Sequence, residues 1–182
     1  MRLLLVLLFA GLAHAEAPDA LSIAAESKVS YILVHKMHKV EGTSTKIEGK
    51  ALILPDGKAQ VMVRVPVESF DSKNVNRDAH MKEAVEAARF PFVEIKALVD
   101  GIARPASFPA TVKRPLKAQI SFHGEKKLRE FPVEVTWESP TRAVAVTSFH
   151  ISLDEFKVER PSLMFVKVDD DLILDAKLVF TR

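Results

Sequence analysis

The chain has 182 residues, of which 48% are hydrophobic, 27% charged and 7% aromatic, and it contains no cysteine. This length suits one domain, and this apolar content is enough for a buried core, so a disordered protein is excluded. The absence of cysteine excludes a disulfide scaffold, a thiolate metal site, a cysteine nucleophile and lipidation of an N-terminal cysteine. The formal net charge of +2, from 26 basic and 24 acidic residues, argues against a broad basic surface for nucleic acid.

The first predicted element is a secretory signal peptide at residues 1–15. Arg2 precedes an apolar run, residues 3–10, that is too short to span a bilayer, and Ala13-His14-Ala15 is a small-x-small cleavage pattern. Removal of the signal peptide would leave 25 basic and 24 acidic residues, a net charge of +1. No later run of the sequence predicts a transmembrane helix. We therefore expect a periplasmic or secreted protein with one folded domain at residues 16–182.

Strands dominate the rest of the chain. Apolar and polar residues alternate with a period of two, which is typical of strands with one buried face. The alternation is clearest at residues 29–33, 59–67, 116–122 and 172–180, and strand-forming residues are also enriched at 44–54, 92–99, 126–137 and 142–153. Asp56-Gly57 and Gly124-Glu125 are predicted hairpin turns. About eight strands in a chain of this length indicate a mainly β protein, an antiparallel barrel or sandwich.

One segment departs from this pattern. Residues 76–89, NRDAHMKEAVEAAR, are rich in helix formers, with apolar residues at helical spacing, and Pro91 would end the helix. Asp78 near its start suits the positive end of the helix dipole. The sequence therefore predicts one amphipathic helix over about 76–89.

Histidines and aspartates are the candidate metal ligands. The mature chain has His35, His38, His80, His123 and His150, but a spacing of three places two side chains on one face only in a helix, and His35 and His38 lie in a predicted strand and turn. The run of aspartates at 169–171 lacks the alternating oxygen ligands and the glycine of a Ca²⁺ loop, which favours a solvated turn. We predict no metal site and no cofactor.

Nucleophilic and phosphate-binding motifs are missing from the sequence. No serine lies in a G-x-S-x-G elbow, and the six glycines occur singly rather than in a phosphate loop. The basic cluster at residues 126–129 has no interleaved aromatics to stack bases, so no nucleic-acid partner is expected. The densest polar group comprises Asn74, Asn76, Arg77, Asp78 and His80, which could form a recognition site at a barrel mouth or cap the helix and tie it to the sheet.

The chain resembles the YceI-like family of secreted bacterial proteins in five segments that occur in the family's order. VESFDSKNVNRDAHM at 67–81 is similar to the family's strand-to-helix signature, and ARFPFVEIKA at 88–97 to the strand that follows. Residues 116–135, with FHGEKKLREFPVEV, resemble its two-strand hairpin, residues 149–172 its last hairpin, and His35 with residues 40–42 its first. The resemblance implies a single lipocalin-like β-barrel with a helix near one end and an elongated apolar cavity for polyisoprenoids or other long-chain amphiphilic lipids.

The leading hypothesis is accordingly a secreted or periplasmic lipid-binding or carrier protein. Arg77 and His80 are the head-group candidates, although the same residues would also serve to tie the helix. The candidate wall residues, which the alternation equally allows to be solid core, are Val63, Val65, Ile120, Phe122, Phe149, Leu174 and Phe180.

Two alternatives remain open. One is a barrel enzyme acting on a lipid or amide with Asp78 and His80 as acid–base groups. The other is a ligand-free envelope stress protein that acts by protein contact through an exposed sheet edge. A homodimer is compatible with any of these hypotheses, and no integral membrane span is expected.

Overall fold

The computed structural model describes residues 19–35, 38–102, 104–163 and 166–182, with all their side chains except those of His35 and Leu163. The predicted signal peptide at residues 1–15 lies outside this part of the chain.

Twelve strands, one α-helix and two short 3-10 helices make up the described chain. The helix α1 is Val75–Ala84, and the 3-10 helices are Val67–Ser69 and Asp154–Phe156. The strands are β1 Asp19–Ile23, β2 Lys28–His35, β3 His38–Ser44, β4 Glu48–Ile53, β5 Ala59–Pro66, β6 Phe92–Val99, β7 Ala110–Phe122, β8 Glu125–Ser139, β9 Arg142–Ser152, β10 Ser162–Leu163, β11 Val166–Lys167 and β12 Asp171–Thr181.

Eight of these strands close into an antiparallel barrel, which confirms the predicted fold. Their order is β1-β4-β5-β6-β7-β8-β9-β12, and β12 returns to β1 through the pair Ser22–Thr181. The hairpin β2–β3 extends the wall, because the first half of β12 pairs with β2 while its last residues pair with β1. β10 and β11 form a separate two-stranded ribbon.

Period-two alternation directs the core side chains into this barrel. Along β8, Phe131, Val133, Val135 and Trp137 are buried, whereas the residues between them are exposed or half-buried. The buried apolar residues form two clusters, one around Phe156 and one around Trp137. The barrel interior is therefore the protein's hydrophobic core.

The predicted hairpin turns are found close to their expected positions. Gly57 follows β4 with a φ of 82°, which suits glycine. Between β7 and β8, His123 and Gly124 both have left-handed φ values, 49° and 77°, as a two-residue turn of the type I′ class requires. A Cβ atom at Gly124 would lie 2.7 Å from the ring of Phe90, so this turn also packs closely against the segment after α1.

The helix is present but shorter than predicted. It ends at Ala84 rather than Arg89, because Glu86 adopts a left-handed φ of 48° and the chain continues in turns to Phe90. Each of its ten residues is at least partly exposed; Met81 packs against the core, and Val85, just beyond the helix, is buried. The apolar contact of this segment with the barrel is thus narrower than the sequence suggested.

Candidate ligand-binding cavity

A cavity of about 140 Å³ lies inside the barrel, with residues from all eight barrel strands in its wall. Among the wall residues only Thr147 and Trp137 carry a polar side-chain atom. The Thr147 hydroxyl donates to the backbone oxygen of Pro132 at 2.7 Å, and the buried Trp137 Nε1 has no hydrogen-bond partner among the described residues. The wall is therefore suited to hydrocarbon and offers a polar head group almost no partners.

The cavity is small for its length. Its wall includes every inward residue of β6 from Val93 to Val99, a path of roughly 20 Å at about 3.3 Å per residue. Its volume is comparable to that of an engineered cavity of about 150 Å³ that holds benzene, and lies below the roughly 300–1,000 Å³ of usual small-molecule sites. A small volume behind a long wall is a narrow channel, which fits a slim chain better than a bulky ring system.

The two ends of the barrel differ in chemistry. Near α1, aromatic rings fill the interior: the Tyr31 and Phe70 centroids lie 5.4 Å apart and those of Phe122 and Phe156 5.6 Å apart. Near the start of β1, by contrast, the Arg104 guanidinium lies 5.6 Å from the centroid of the Trp137 ring and forms an ion pair with Asp19. The first end is closed by packing, and the second carries charges beside the wall.

Five of the predicted wall residues border the cavity. These are Val63, Val65, Phe149, Leu174 and Phe180. Ile120 and Phe122 do not, because they pack into the aromatic end of the core, where Ile120 is 0% exposed. The structure brings the first five together around one space, and their role as ligand contacts stays a prediction.

Arg77 and His80 lie outside this space, on α1. Asn74 caps the helix by accepting from the backbone N–H of Arg77 at 3.0 Å. The Arg77 guanidinium donates to Ser72, to its hydroxyl at 3.0 Å and to its backbone oxygen at 2.7 Å. The Asp78 carboxylate accepts from the Ser72 N–H at 3.0 Å. Arg77 and Asp78 thus tie the helix to the preceding turn, as the structural alternative proposed.

His80 is exposed and lies two residues from Asp78 on the same helix. Side chains at this spacing point to different sides of a helix, so the fold does not assemble Asp78 and His80 as an acid–base pair.

Several wall residues were not among the sequence candidates. Val133 and Trp137 of β8, Ala145 and Thr147 of β9, and Ala176 of β12 also line the cavity. All lie in predicted strands, at even spacing from inward residues of the same strand such as Phe149 and Leu174. The period-two pattern could therefore have identified them as inward-facing. Three of these residues, Ala145, Thr147 and Ala176, have small side chains, which bury little area themselves but leave space in the interior.

The acidic run near β12 is engaged in contacts within the protein. The Asp170 carboxylate accepts from the Asp154 N–H at 2.8 Å, and the His150 Nδ1 lies 2.8 Å from an Asp171 oxygen. Among the described residues, no three His, Asp or Glu side chains are grouped so as to hold a metal ion. Within the same residues, no helix has the length and apolar character needed to cross a membrane.

The buried phenol of Tyr31 should make the free energy of unfolding fall at alkaline pH. Burial raises the pKa of Tyr31 from its ordinary value of 10.0 to about 12; the Asp78 carboxylate also raises this pKa, and the Arg77 guanidinium lowers it. A folded pKa above the unfolded one stabilises the fold below pH 10, and this contribution disappears as the pH rises from 10 to about 12. Two pKa units correspond to about 3 kcal/mol. Over this interval, denaturant unfolding should show wild-type protein losing about 2–3 kcal/mol more than Tyr31→Phe.

The control for this prediction is direct, because Tyr31 is the sole tyrosine. The ultraviolet absorbance of phenolate reports its titration alone, and a midpoint near pH 10 in the folded protein would contradict a raised pKa. Any other group that loses a proton in this range is common to both proteins and cancels in the difference.

Solved structures share this fold at low sequence identity. A polyisoprenoid binding domain from Saccharophagus degradans has a TM-score of 0.76 at 17% identity, covering 89% of this chain and 97% of its own. BcnA of Burkholderia cenocepacia has a TM-score of 0.66 at 20% identity, with 85% and 96% covered. The YceI protein of Campylobacter jejuni has a TM-score of 0.63 at 13% identity, with 82% and 88% covered.

Among curated proteins, no relative of this chain is found. The YceI-like domain model matches residues 22–180, from the second-last residue of β1 to the second-last residue of β12. The match includes residues of all eight barrel strands, and the chain therefore belongs to the YceI-like domain family.

Proposed function

We propose that this protein binds and carries a long-chain isoprenoid or a similar amphiphilic lipid, with the apolar tail held in the barrel cavity. The observation that carries the proposal is the cavity itself, a long and narrow channel with an almost wholly apolar wall. Membership of the YceI-like family supports it, as does the shared fold of the polyisoprenoid binding domain from Saccharophagus degradans.

Burial of a hydrocarbon tail would supply enough free energy for this role. Each buried methylene contributes about 0.8 kcal/mol, so about ten would contribute about 8 kcal/mol, equal to micromolar affinity before the cost of ordering the chain. Arg77 and Asp78 hold α1 to the preceding turn through Ser72, which argues against an acid–base role for them there.

A long tail needs more room than the empty channel provides. The Phe131 and Phe149 rings, stacked at a centroid distance of 4.0 Å, both border the cavity. Movement of these two rings would widen it, since they project from neighbouring strands into the same space.

We also propose a periplasmic or secreted location, which rests on the N-terminal signal pattern at residues 1–15.

Native mass spectrometry of protein purified from its own cell envelope tests the proposal. One extractable long-chain lipid per polypeptide is expected. The lipid-free protein should then bind farnesol, and the single tryptophan, Trp137, should report this through its fluorescence because it lies in the cavity wall. A bare polypeptide mass, together with unchanged fluorescence on addition of farnesol, would contradict lipid binding.

A further inference from the structure

The backbone ladder between β8 and β9 stops part-way along the two strands. Their hydrogen-bonded ladder reaches Glu134–Val146 and goes no further among the described residues, although β8 begins at Glu125 and β9 runs on to Ser152. Each strand stays paired on its other side, β8 with β7 and β9 with β12. The unpaired stretch between them, here called the seam, is therefore flanked by two complete ladders.

Pro132 explains where the seam opens. Continued register would place Pro132 opposite Ser148, but proline has no N–H to donate to a neighbouring strand. In place of a ladder bond, the Thr147 hydroxyl donates to the Pro132 backbone oxygen at 2.7 Å. Opening the wall here would break this side-chain contact rather than a row of backbone hydrogen bonds.

Inside the seam, two aromatic rings and a group of small residues face the cavity. Phe131 and Phe149 stack across it with their planes 10° apart. Beyond them the wall is built from Ala145, Thr147 and Ala176, and Thr147 is the direct partner of Ala176 across β9 and β12. The rings are thus the large side chains that separate the seam from the channel.

Outside the seam lies an open groove of about 540 Å³ on the barrel surface. Both margins of the seam line it, residues 132–134 of β8 and 146–148 of β9, and Val133, Thr147 and Ala176 border the groove as well as the cavity. Groove and channel are separated by little more than one layer of backbone.

The groove differs from the channel in polarity. It contains three lysines and three acidic residues, so its formal charges balance; Lys113 and Glu134 pair at 2.7 Å. A polar head group would find hydrogen-bond partners there, whereas the channel would leave it desolvated and unpaired. A head group without net charge matches this balance.

We propose that the β8–β9 seam is a lateral ligand entry and binding site. The tail passes between Pro132 and Thr147 as the Phe131–Phe149 stack opens, and an uncharged or zwitterionic head group stays in the outer groove. This inference rests on the proposed lipid-binding function and names its route and the chemistry of its head-group site.

A crosslink across the seam tests the route. The chain has no cysteine, so Pro132→Cys with Ser148→Cys creates a unique thiol pair that a short bis-maleimide can join, with joining verified by mass. The matched control is Gln60→Cys with Leu98→Cys, which crosslinks exposed Cα partners in the β5–β6 ladder, at positions that line neither the groove nor the cavity. Stopped-flow Trp137 fluorescence follows farnesol uptake, and transfer to phosphatidylcholine vesicles follows its release.

We expect the seam crosslink to slow uptake and release by at least about tenfold, and the control crosslink to change them by less than about twofold. Unchanged rates with the seam closed would overturn lateral entry and assign entry to a barrel end.

Phe149→Leu, which removes the stack and keeps the position apolar, should accelerate both rates; unaltered rates would count against the aromatic gate. If no form binds farnesol and the purified protein carries no lipid, the proposed function itself fails, which is a different result.

Two ligands with the same tail test the head-group site. We expect farnesyl diphosphate to bind at least about threefold more weakly than farnesol, since the balanced groove does not compensate its negative charge. Tighter binding of the diphosphate would overturn the assignment of an uncharged or zwitterionic head group.

Discussion

Replacement of Ala97 by phenylalanine is expected to weaken lipid binding by about 100-fold in a protein that still folds. Ala97 lies on β6 and its side chain borders the cavity. A phenyl ring is the size of the benzene that fills a cavity of about 150 Å³, so it would occupy most of the 140 Å³ present here. Excluding about four methylenes of the tail would cost about 3 kcal/mol of binding free energy, an affinity loss of about 100-fold.

Leu98→Phe is the matched control for this substitution. Leu98 is the next residue of β6, points to the outer face and is 54% exposed, so a ring there leaves the channel unchanged. Farnesol affinity from Trp137 fluorescence and thermal unfolding should be recorded for both variants. Wild-type affinity of Ala97→Phe, in a folded protein, would mean that the tail binds elsewhere.

Replacement of Phe156 by alanine is expected to lower the free energy of unfolding by about 3–5 kcal/mol. Phe156 is 0% exposed, packs on Phe122 and belongs to the aromatic cluster that fills the barrel end near α1. Its backbone oxygen also contacts the His123 Nδ1 at 3.0 Å, so the 3-10 helix that carries it is attached to the β7–β8 turn. Removing the ring leaves a cavity that the surrounding strands fill only in part.

Denaturant unfolding measures this loss, and the midpoint of thermal unfolding should fall by about 10 °C. Val75→Ala provides the baseline, because Val75 is 85% exposed and its truncation should change stability by less than about 0.5 kcal/mol. A loss below about 1 kcal/mol for Phe156→Ala would show that this end of the barrel is loosely packed.

The strands could be predicted because their signal is local. The alternation at 59–67 and 172–180 corresponds to β5 and β12, whose inward residues Val63, Val65, Leu174 and Phe180 border the cavity. A strand with one face in water must alternate, whatever its neighbours are. The turn at Gly57 could also be predicted from the sequence, because its positive φ favours glycine.

The helix end was missed because tertiary contacts outweighed propensity. KEAVEAA at 82–88 favours continuation of α1, yet Glu86 turns into the left-handed region and its carboxylate lies 3.2 Å from the His123 Nε2. Phe90, a few residues on, packs edge-on against the same histidine, at a centroid distance of 5.0 Å. These partners lie more than thirty positions along the chain, outside any local window of sequence.

The sequence by itself determined which residues form strands and which side of each strand is apolar, and its family resemblance indicated the barrel. Only the tertiary structure decided where the interior is solid and where it is hollow. Ile120 and Phe149 both occupy inward apolar positions of an alternating strand. Ile120 is packed among aromatic rings, whereas Phe149 faces open space. The physical reason is that unfilled volume depends on the sizes of facing side chains from strands distant in sequence, and on their register, neither of which a single strand's pattern specifies.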